Sequence, residues 1–207
     1  MADITGLFAT PLMQVNGALS AALAAKLAQR AVESAKTRNV HSDQLAHTEI
    51  ATPEEDPDFA VVEAAVRPYL VEFGSHLFGE RLDWSVKEIW TNVLRRGGNQ
   101  SVHSHANSFI SGIIYLTHSH PSSRTVFHKA LGGTEYVFSN FNKQAKIGPF
   151  NGSKWVSPPK NPGDLLLYPS YLLHEVPTNQ GDLRITLALN AIPDRLDSWG
   201  YRVSFSK

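Results

Sequence analysis

Two short histidine pairs carry the most distinctive chemistry of this chain. His103 and His105 form one His-Ser-His, and His118 and His120 repeat the pattern fifteen residues later. Alternate side chains of an extended strand point to the same side, so His-x-His can direct two imidazoles towards one metal ion. The spacing therefore poses the question of which pair, if either, binds a metal.

The surrounding sequence favours the first pair. It follows a Gly-Gly turn and precedes the apolar strand predicted from "FISGIIYLTH", whereas the second pair lies among serines where that strand ends and a proline follows. Such a segment is typical of a solvated hairpin tip. An isolated His-x-His is more often not a metal site, so a third ligand is needed. His174, which follows "PGDLLLYPSYLL", can supply it.

The remaining histidines have simpler interpretations. His41 and His47 lie in the polar stretch 37–57, which has no clear period and is predicted to be a long exposed loop. His128 lies in a short strand, where it is predicted to be a core or surface residue rather than a metal ligand. His76 is predicted to lie in a helix as a structural residue.

A charged residue interrupts the apolar run "RITLALN". A buried Arg184 needs an anionic partner, and Thr186 lies on the same strand face. One interpretation is a structural ion pair or an exposed strand start. The other is a ligand carboxylate, which a guanidinium binds through two parallel hydrogen bonds.

Composition narrows the class of protein. The chain has 207 residues, 19 basic and 19 acidic side chains and no cysteine. The length predicts a single domain, 1–207. Zero formal charge argues against a nucleic-acid binder that relies on bulk charge, and the lack of cysteine excludes disulfides and thiolate metal sites. Without a targeting segment or an apolar span, we expect a cytoplasmic protein with no membrane partner.

The elements that must position these residues change in type along the chain. Helices are predicted near 16–36 and 57–78, the second starting at Pro57 after a capping aspartate, Asp56 or Asp58. After Gly79, short alternating runs predict many strands. The fold class is therefore α+β but mainly β, with a helical part about 1–80 and a β-barrel core about 82–207.

The sequence resembles the iron(II)- and 2-oxoglutarate-dependent oxygenase superfamily, and within it a poorly characterised bacterial and phage branch. Four stretches, taken in order, carry the resemblance: His103-x-His105, "SGIIYL", "PGDLLLYPSYLLHEV" and "RITLALN". The resemblance implies a double-stranded β-helix, which is a jelly-roll or cupin-like barrel buttressed by helices. It matches His103 and His174 to iron ligands. His105 stands where the superfamily usually has a carboxylate, so either three histidines hold the iron or His105 turns away.

The same resemblance assigns the cosubstrate site and the reaction. Arg184 matches the residue that binds the distal carboxylate of 2-oxoglutarate, and Thr186 matches the hydroxyl residue that accompanies it. Tyr115 either matches a further donor to the same carboxylate or is a core residue. The implied reaction couples oxidative decarboxylation of 2-oxoglutarate to hydroxylation of an unknown substrate, a small molecule or a protein. The oligomeric state is open, with a homodimer conceivable.

Several alternatives stay open at this point. A three-histidine cupin-like dioxygenase or isomerase would not need Arg184, and a non-enzymatic ligand-binding barrel would not need the metal. Asn92 is a weaker candidate for lining the barrel. Aromatic residues of the segment 131–155 form either a lid over the site or ordinary packing: Tyr136, Phe138, Phe141, Phe150 and Trp155. Three other large side chains are predicted to be core residues: Trp90, Phe109 and Leu187.

Overall fold

Two helices form as the sequence predicts. In the computed structural model, which describes residues 3–130, 140 and 142–206, α1 spans Ala21–Ser34 and α2 spans Pro57–Phe78. The Asp56 carboxylate accepts the Asp58 backbone N–H at 2.8 Å and so caps α2. Gly79 ends α2 in the left-handed conformation, at φ 69°.

Within the described residues, thirteen strands follow or precede these helices and form three antiparallel sheets. The strands are β1 Met13–Val15, β2 Thr37–Asn39, β3 Ser42–His47, β4 Trp84–Arg95, β5 Gln100–His103, β6 Ile110–Tyr115, β7 Val126–His128, β8 Lys154–Val156, β9 Leu165–Pro169, β10 His174–Val176, β11 Leu183–Pro193, β12 Arg195–Ser198 and β13 Tyr201–Ser204. Their order in the seven-stranded sheet is β1-β9-β6-β11-β4-β3-β2 and in the four-stranded sheet β5-β10-β7-β8, and β12 pairs with β13.

The helices cover one face of the seven-stranded sheet. Alternation along β11 places Ile185, Leu187 and Leu189 in the same apolar cluster as buried residues of α1 and α2. The opposite face of β11 carries Arg184 and Thr186, both buried. One strand thus contributes to the apolar core on one side and to a polar interior on the other.

The four-stranded sheet packs over that polar face. Phe127 of β7 and Tyr168 of β9 meet edge to face, with ring centroids 5.0 Å apart, and so join the two sheets. Two facing antiparallel sheets with helices on one outer face confirm the predicted mainly-β jelly roll.

The structure corrects three parts of the sequence prediction. The stretch 37–57 is not one long loop, because it contains the hairpin β2–β3, which extends the seven-stranded sheet beside β4. Strand β1 also lies within the part predicted to be helical, so three strands of that sheet precede residue 82. The C-terminal tail, for which no element was predicted, forms the hairpin β12–β13.

Among the helices of the described residues, none combines the length and apolarity needed to cross a membrane.

Candidate metal and anion site

The fold brings the three predicted histidines together. His103 ends β5 and lies directly opposite His174, the first residue of β10, in the antiparallel register. His105 lies two residues beyond β5, and its backbone N–H donates to the Ser170 carbonyl at 2.9 Å. One potential ligand atom from each imidazole lies within 4.8 Å of the others, a spread that side-chain rotation can close onto one ion.

Hydrogen bonds select the imidazole nitrogens that remain free for a metal. The Nδ1–H of His103 donates to the Ser101 carbonyl at 2.8 Å, and that of His174 donates to the Leu172 carbonyl at 3.0 Å. Because a carbonyl only accepts, Nδ1 carries the proton and the Nε2 lone pair points elsewhere. In His174 this lone pair accepts the Tyr168 hydroxyl at 3.1 Å, a bond that a metal would replace.

Burial keeps these imidazoles neutral. Burial, together with the neighbouring His103, lowers the pKa of His105 to about 4 and that of His174 to about 3. Burial also lowers the pKa of His103. Neutral imidazoles are the form that ligates a metal, so the donor set fits a divalent transition ion.

The second histidine pair lies elsewhere. His118 and His120 are exposed, and neither belongs to a potential metal cluster within the described residues. His128 is buried, and its Nε2 lies 3.0 Å from a carboxylate oxygen of Glu175. Glu175 directly follows His174 in β10, so alternation along the strand directs its side chain to the opposite face.

Arg184 is buried, with 4% of its surface exposed, and extends from β11 towards β7. Its two terminal nitrogens donate to the hydroxyls of Thr186 at 3.4 Å and Thr125 at 3.1 Å. The Tyr115 hydroxyl lies 2.9 Å from the same Thr125 oxygen. The predicted residues Arg184, Thr186 and Tyr115 therefore meet around Thr125.

The guanidinium of Arg184 has unused hydrogen-bonding capacity. Its Nε is buried without a partner, and no carboxylate of residues 3–130, 140 or 142–206 forms an ion pair with it. Burial lowers its pKa, whereas Tyr115 raises it. Since a guanidinium stays protonated in proteins, the charge is uncompensated by protein groups and favours a bound anion.

One cavity of about 270 Å³ contains both groups of residues. Its walls include the three histidines, Arg184 and Thr186, so a ligand can reach the metal position and the guanidinium at once. Further lining residues are Asn39, Leu45, His47, Ile50, Trp90, Asn92, Leu94, Gln100, Ile113, Tyr168, Val176 and Ala188.

Several sequence assignments change with this geometry. Asn92 lines the cavity as predicted, but Trp90 is half-buried at the same wall rather than in the core, with its ring centroid 5.8 Å from that of His105. His47 also lines the cavity instead of lying on an exposed loop. Leu187 is a core residue as predicted, and Phe109 is half-buried and packs against that core.

Thr125 and Tyr168 are the site residues that sequence reasoning missed. Tyr168 was visible in "LLLYPS", where alternation places it beside Leu166 on the interior face. Thr125 gives no local signal, because its partners are 10 and 59 residues away in sequence.

The proposed aromatic lid is tested only in part. Tyr136, Phe138 and Phe141 lie outside the described residues. Phe150 is 61% exposed and Trp155 is 43% exposed, and the Trp155 ring lies 5.8 Å from that of Phe127. Whether the segment closes over the site stays a prediction.

Comparisons with known proteins agree with this geometry. Residues 88–190 match the family described as "Putative 2OG-Fe(II) oxygenase", a span that contains all three histidines and Arg184. No curated protein sequence matches the chain.

Solved structures with a similar fold include HygX of Streptomyces hygroscopicus with nickel and 2-oxoglutarate bound, at 13% identity and a TM-score of 0.62, covering 89% of this chain and 83% of HygX. A 2OG-Fe(II) oxygenase family oxidoreductase of Burkholderia pseudomallei shares 14% identity at a TM-score of 0.59, over 87% and 83% of the two chains. A Pseudomonas putida prolyl-4-hydroxylase shares 16% identity at a TM-score of 0.57, over 87% and 92%.

At these identities the solved structures support the fold, and the family match covers the strands that carry the histidine cluster and the buried arginine. The chain belongs to the iron(II)- and 2-oxoglutarate-dependent oxygenase superfamily.

Proposed function

We propose that His103, His105 and His174 together hold one Fe(II) ion, and that Arg184, with Thr186 and Tyr115, binds the distal carboxylate of 2-oxoglutarate. When bound, iron and 2-oxoglutarate supply the oxidising chemistry, in which decarboxylation to succinate is coupled to hydroxylation of a substrate. The protein supplies binding, orientation and a partly enclosed cavity.

The observation that carries this proposal is the buried Arg184. Arg184 lines the same cavity as the three neutral imidazoles, and no carboxylate of the described residues pairs with its guanidinium. A dicarboxylate with one end at the metal position and the other at Arg184 would compensate the positive charge and satisfy the remaining donors.

The ligand set departs from the usual two histidines and one carboxylate. Three neutral imidazoles bring no negative charge, so the centre keeps one more positive charge than the usual set would leave. Glu175, the carboxylate next to His174, is engaged by His128 and by the Lys154 ammonium at 3.4 Å. This engagement supports His105 as the third ligand.

The alternatives differ in their need for Arg184 and for the metal. A three-histidine dioxygenase or isomerase that does not use 2-oxoglutarate leaves the buried Arg184 without an anionic partner, and loss of Arg184 would not change its ligand binding. A non-enzymatic ligand-binding barrel would keep its function after loss of the metal. The buried cation therefore favours the 2-oxoglutarate-dependent reaction.

The test is anaerobic calorimetric titration of 2-oxoglutarate into the Fe(II)-loaded protein, followed by detection of succinate after oxygen is admitted. The proposal expects one bound 2-oxoglutarate per chain and slow succinate release without substrate. No binding to the metal-loaded protein would contradict it.

We also propose that the chain acts in the cytoplasm on a small molecule or a protein. The absence of cysteine supports a reducing compartment, and the balanced formal charge argues against a nucleic-acid substrate. The apolar cluster shared by both helices and the seven-stranded sheet supports a single domain over 1–207.

A further inference from the structure

A chain of buried polar side chains ends at the loop that carries His105. Starting from the loop, the Ser108 hydroxyl lies 2.8 Å from the Ser170 hydroxyl, which lies 2.9 Å from that of Ser111. Ser111 lies 2.8 Å from the Asn190 side-chain oxygen, and the Asn190 amide donates to Glu88 at 2.8 Å. Three members of the chain are no more than 3% exposed: Ser111, Ser170 and Asn190.

The direction of every hydrogen bond in this chain is fixed by its carboxylate end. A carboxylate only accepts, so the Asn190 amide NH₂ donates to Glu88 and the Asn190 side-chain oxygen accepts the hydrogen bond from the Ser111 hydroxyl. Ser170 must then donate to Ser111, and Ser108 must donate to Ser170. The hydroxyls of Ser170 and Ser111 are each satisfied once as donor and once as acceptor, and aligned bonds of this kind strengthen one another.

Ser170 also binds the His105 loop through its backbone. Its carbonyl accepts the His105 N–H at 2.9 Å, and its N–H donates to the Phe109 carbonyl at 3.0 Å. With the Ser108 contact, three hydrogen bonds attach both ends of the loop 105–109 to one residue. The loop needs this support, because His105 lies outside β5 and Asn107 within it has a positive φ of 54°.

The far end of the chain lies at an irregularity of the sheet. The register between β11 and β4 shifts between Asn190 and Ala191, where Asn190 still faces Glu88. Such bulges redirect side chains and are common beside active sites. Ser170 itself directly follows β9 and begins the four-residue connection to His174. One residue thus connects the loop of one metal ligand to the segment of another.

We infer that Ser170 is a positioning residue for the metal centre: through Ser108 and the Ser111–Asn190–Glu88 chain it holds the His105 loop so that three imidazoles converge. This inference rests on the proposed metal site. Hydrogen bonds thereby hold His105 in place beyond the end of β5, where strand pairing does not. Partners that orient a metal ligand typically contribute about 10- to 100-fold in metal affinity.

The test measures Ni(II) affinity by calorimetry in the absence of 2-oxoglutarate. Ser170→Ala should weaken binding about 10- to 100-fold, and Ser108→Ala, at a half-buried position, should weaken it in the same direction. Ser157→Ala is the matched control, because Ser157 is 1% exposed and its hydroxyl has no partner within the described residues. Its affinity should equal that of the wild type.

A double-mutant cycle separates positioning from general loosening of the fold. If Ser170 acts through His105, then Ser170→Ala should cause no further loss in the His105→Ala background. Additive losses, or a Ser170→Ala affinity within twofold of wild type, would overturn the inference. If Ser170→Ala fails to fold, as thermal unfolding of the metal-free protein would show, the same cycle with Ser108→Ala decides. Absence of Ni(II) binding to the wild type would overturn both this inference and the proposed metal site.

Discussion

Replacing Arg184 by alanine should weaken 2-oxoglutarate binding far more than it weakens metal binding. Arg184 lies on β11, whereas the histidines lie on β5, on β10 and in the loop after β5. The substitution therefore removes the cationic end of the cavity and leaves the metal end in place.

The expected size of the effect follows from the contacts of the guanidinium. Each of its two terminal nitrogens donates to one threonine hydroxyl and has a second N–H, so the group is held in position with donors remaining for a carboxylate. Loss of a buried, charge-assisted contact costs about 2–4 kcal/mol, or about 30- to 1,000-fold in affinity. Arg184→Lys should recover only part of this, because an ammonium lacks the planar fork.

Thermal and chemical unfolding of the metal-loaded protein provide the assay beside calorimetry. At a 2-oxoglutarate concentration 100 times the wild-type Kd, the ligand should stabilise the wild type by about 2.7 kcal/mol. A variant with a 100-fold weaker Kd should gain only about 0.4 kcal/mol at that concentration. Equal stabilisation of wild type and Arg184→Ala would refute the assigned role of the arginine.

Three further variants test other parts of the account. Replacing both His118 and His120 by alanine should leave iron stoichiometry at one per chain, since both are exposed; loss of the metal by elemental analysis would show that the wrong pair was chosen. Asp56→Ala should lower the free energy of unfolding by about 1–2 kcal/mol through loss of the α2 cap. Burial raises the pKa of Asp56, but hydrogen bonds from Arg30 and the Asp58 amide outweigh it and lower the pKa below 3.8. The difference in unfolding free energy between wild type and Asp56→Ala should therefore shrink as the pH falls below that value. A pH-independent difference would contradict the assignment. Gly74→Ala should destabilise the protein by about 1–3 kcal/mol in denaturant titration, because a Cβ would overlap the indole of buried Trp84; an unchanged midpoint would contradict that packing.

Local sequence patterns predicted the parts of the fold whose signals are local. Asp56, Pro57 and Gly79 mark the bounds of α2, and the alternation of β11 separated Leu187 from Arg184 and Thr186. The hairpin β2–β3 was missed because it forms an edge of the sheet. Leu45 is its one buried residue, and so the polar stretch shows no apolar alternation.

The site was predictable as far as its members lie in recognisable strands. Trp90 was assigned to the core because it is a large apolar side chain. It lines the cavity instead, on a strand whose opposite face packs in the apolar core, and residue type does not distinguish these two environments. Thr125 and Ser170 owe their importance to partners distant in sequence. Only the fold brings them beside Arg184 and the His105 loop.

An anaerobic crystal structure of the protein with Fe(II) and 2-oxoglutarate would test the central claim most directly. The account predicts one iron ligated by His103, His105 and His174, and a dicarboxylate that spans from the iron to the guanidinium of Arg184. Iron bound without His105, or 2-oxoglutarate bound away from Arg184, would contradict it.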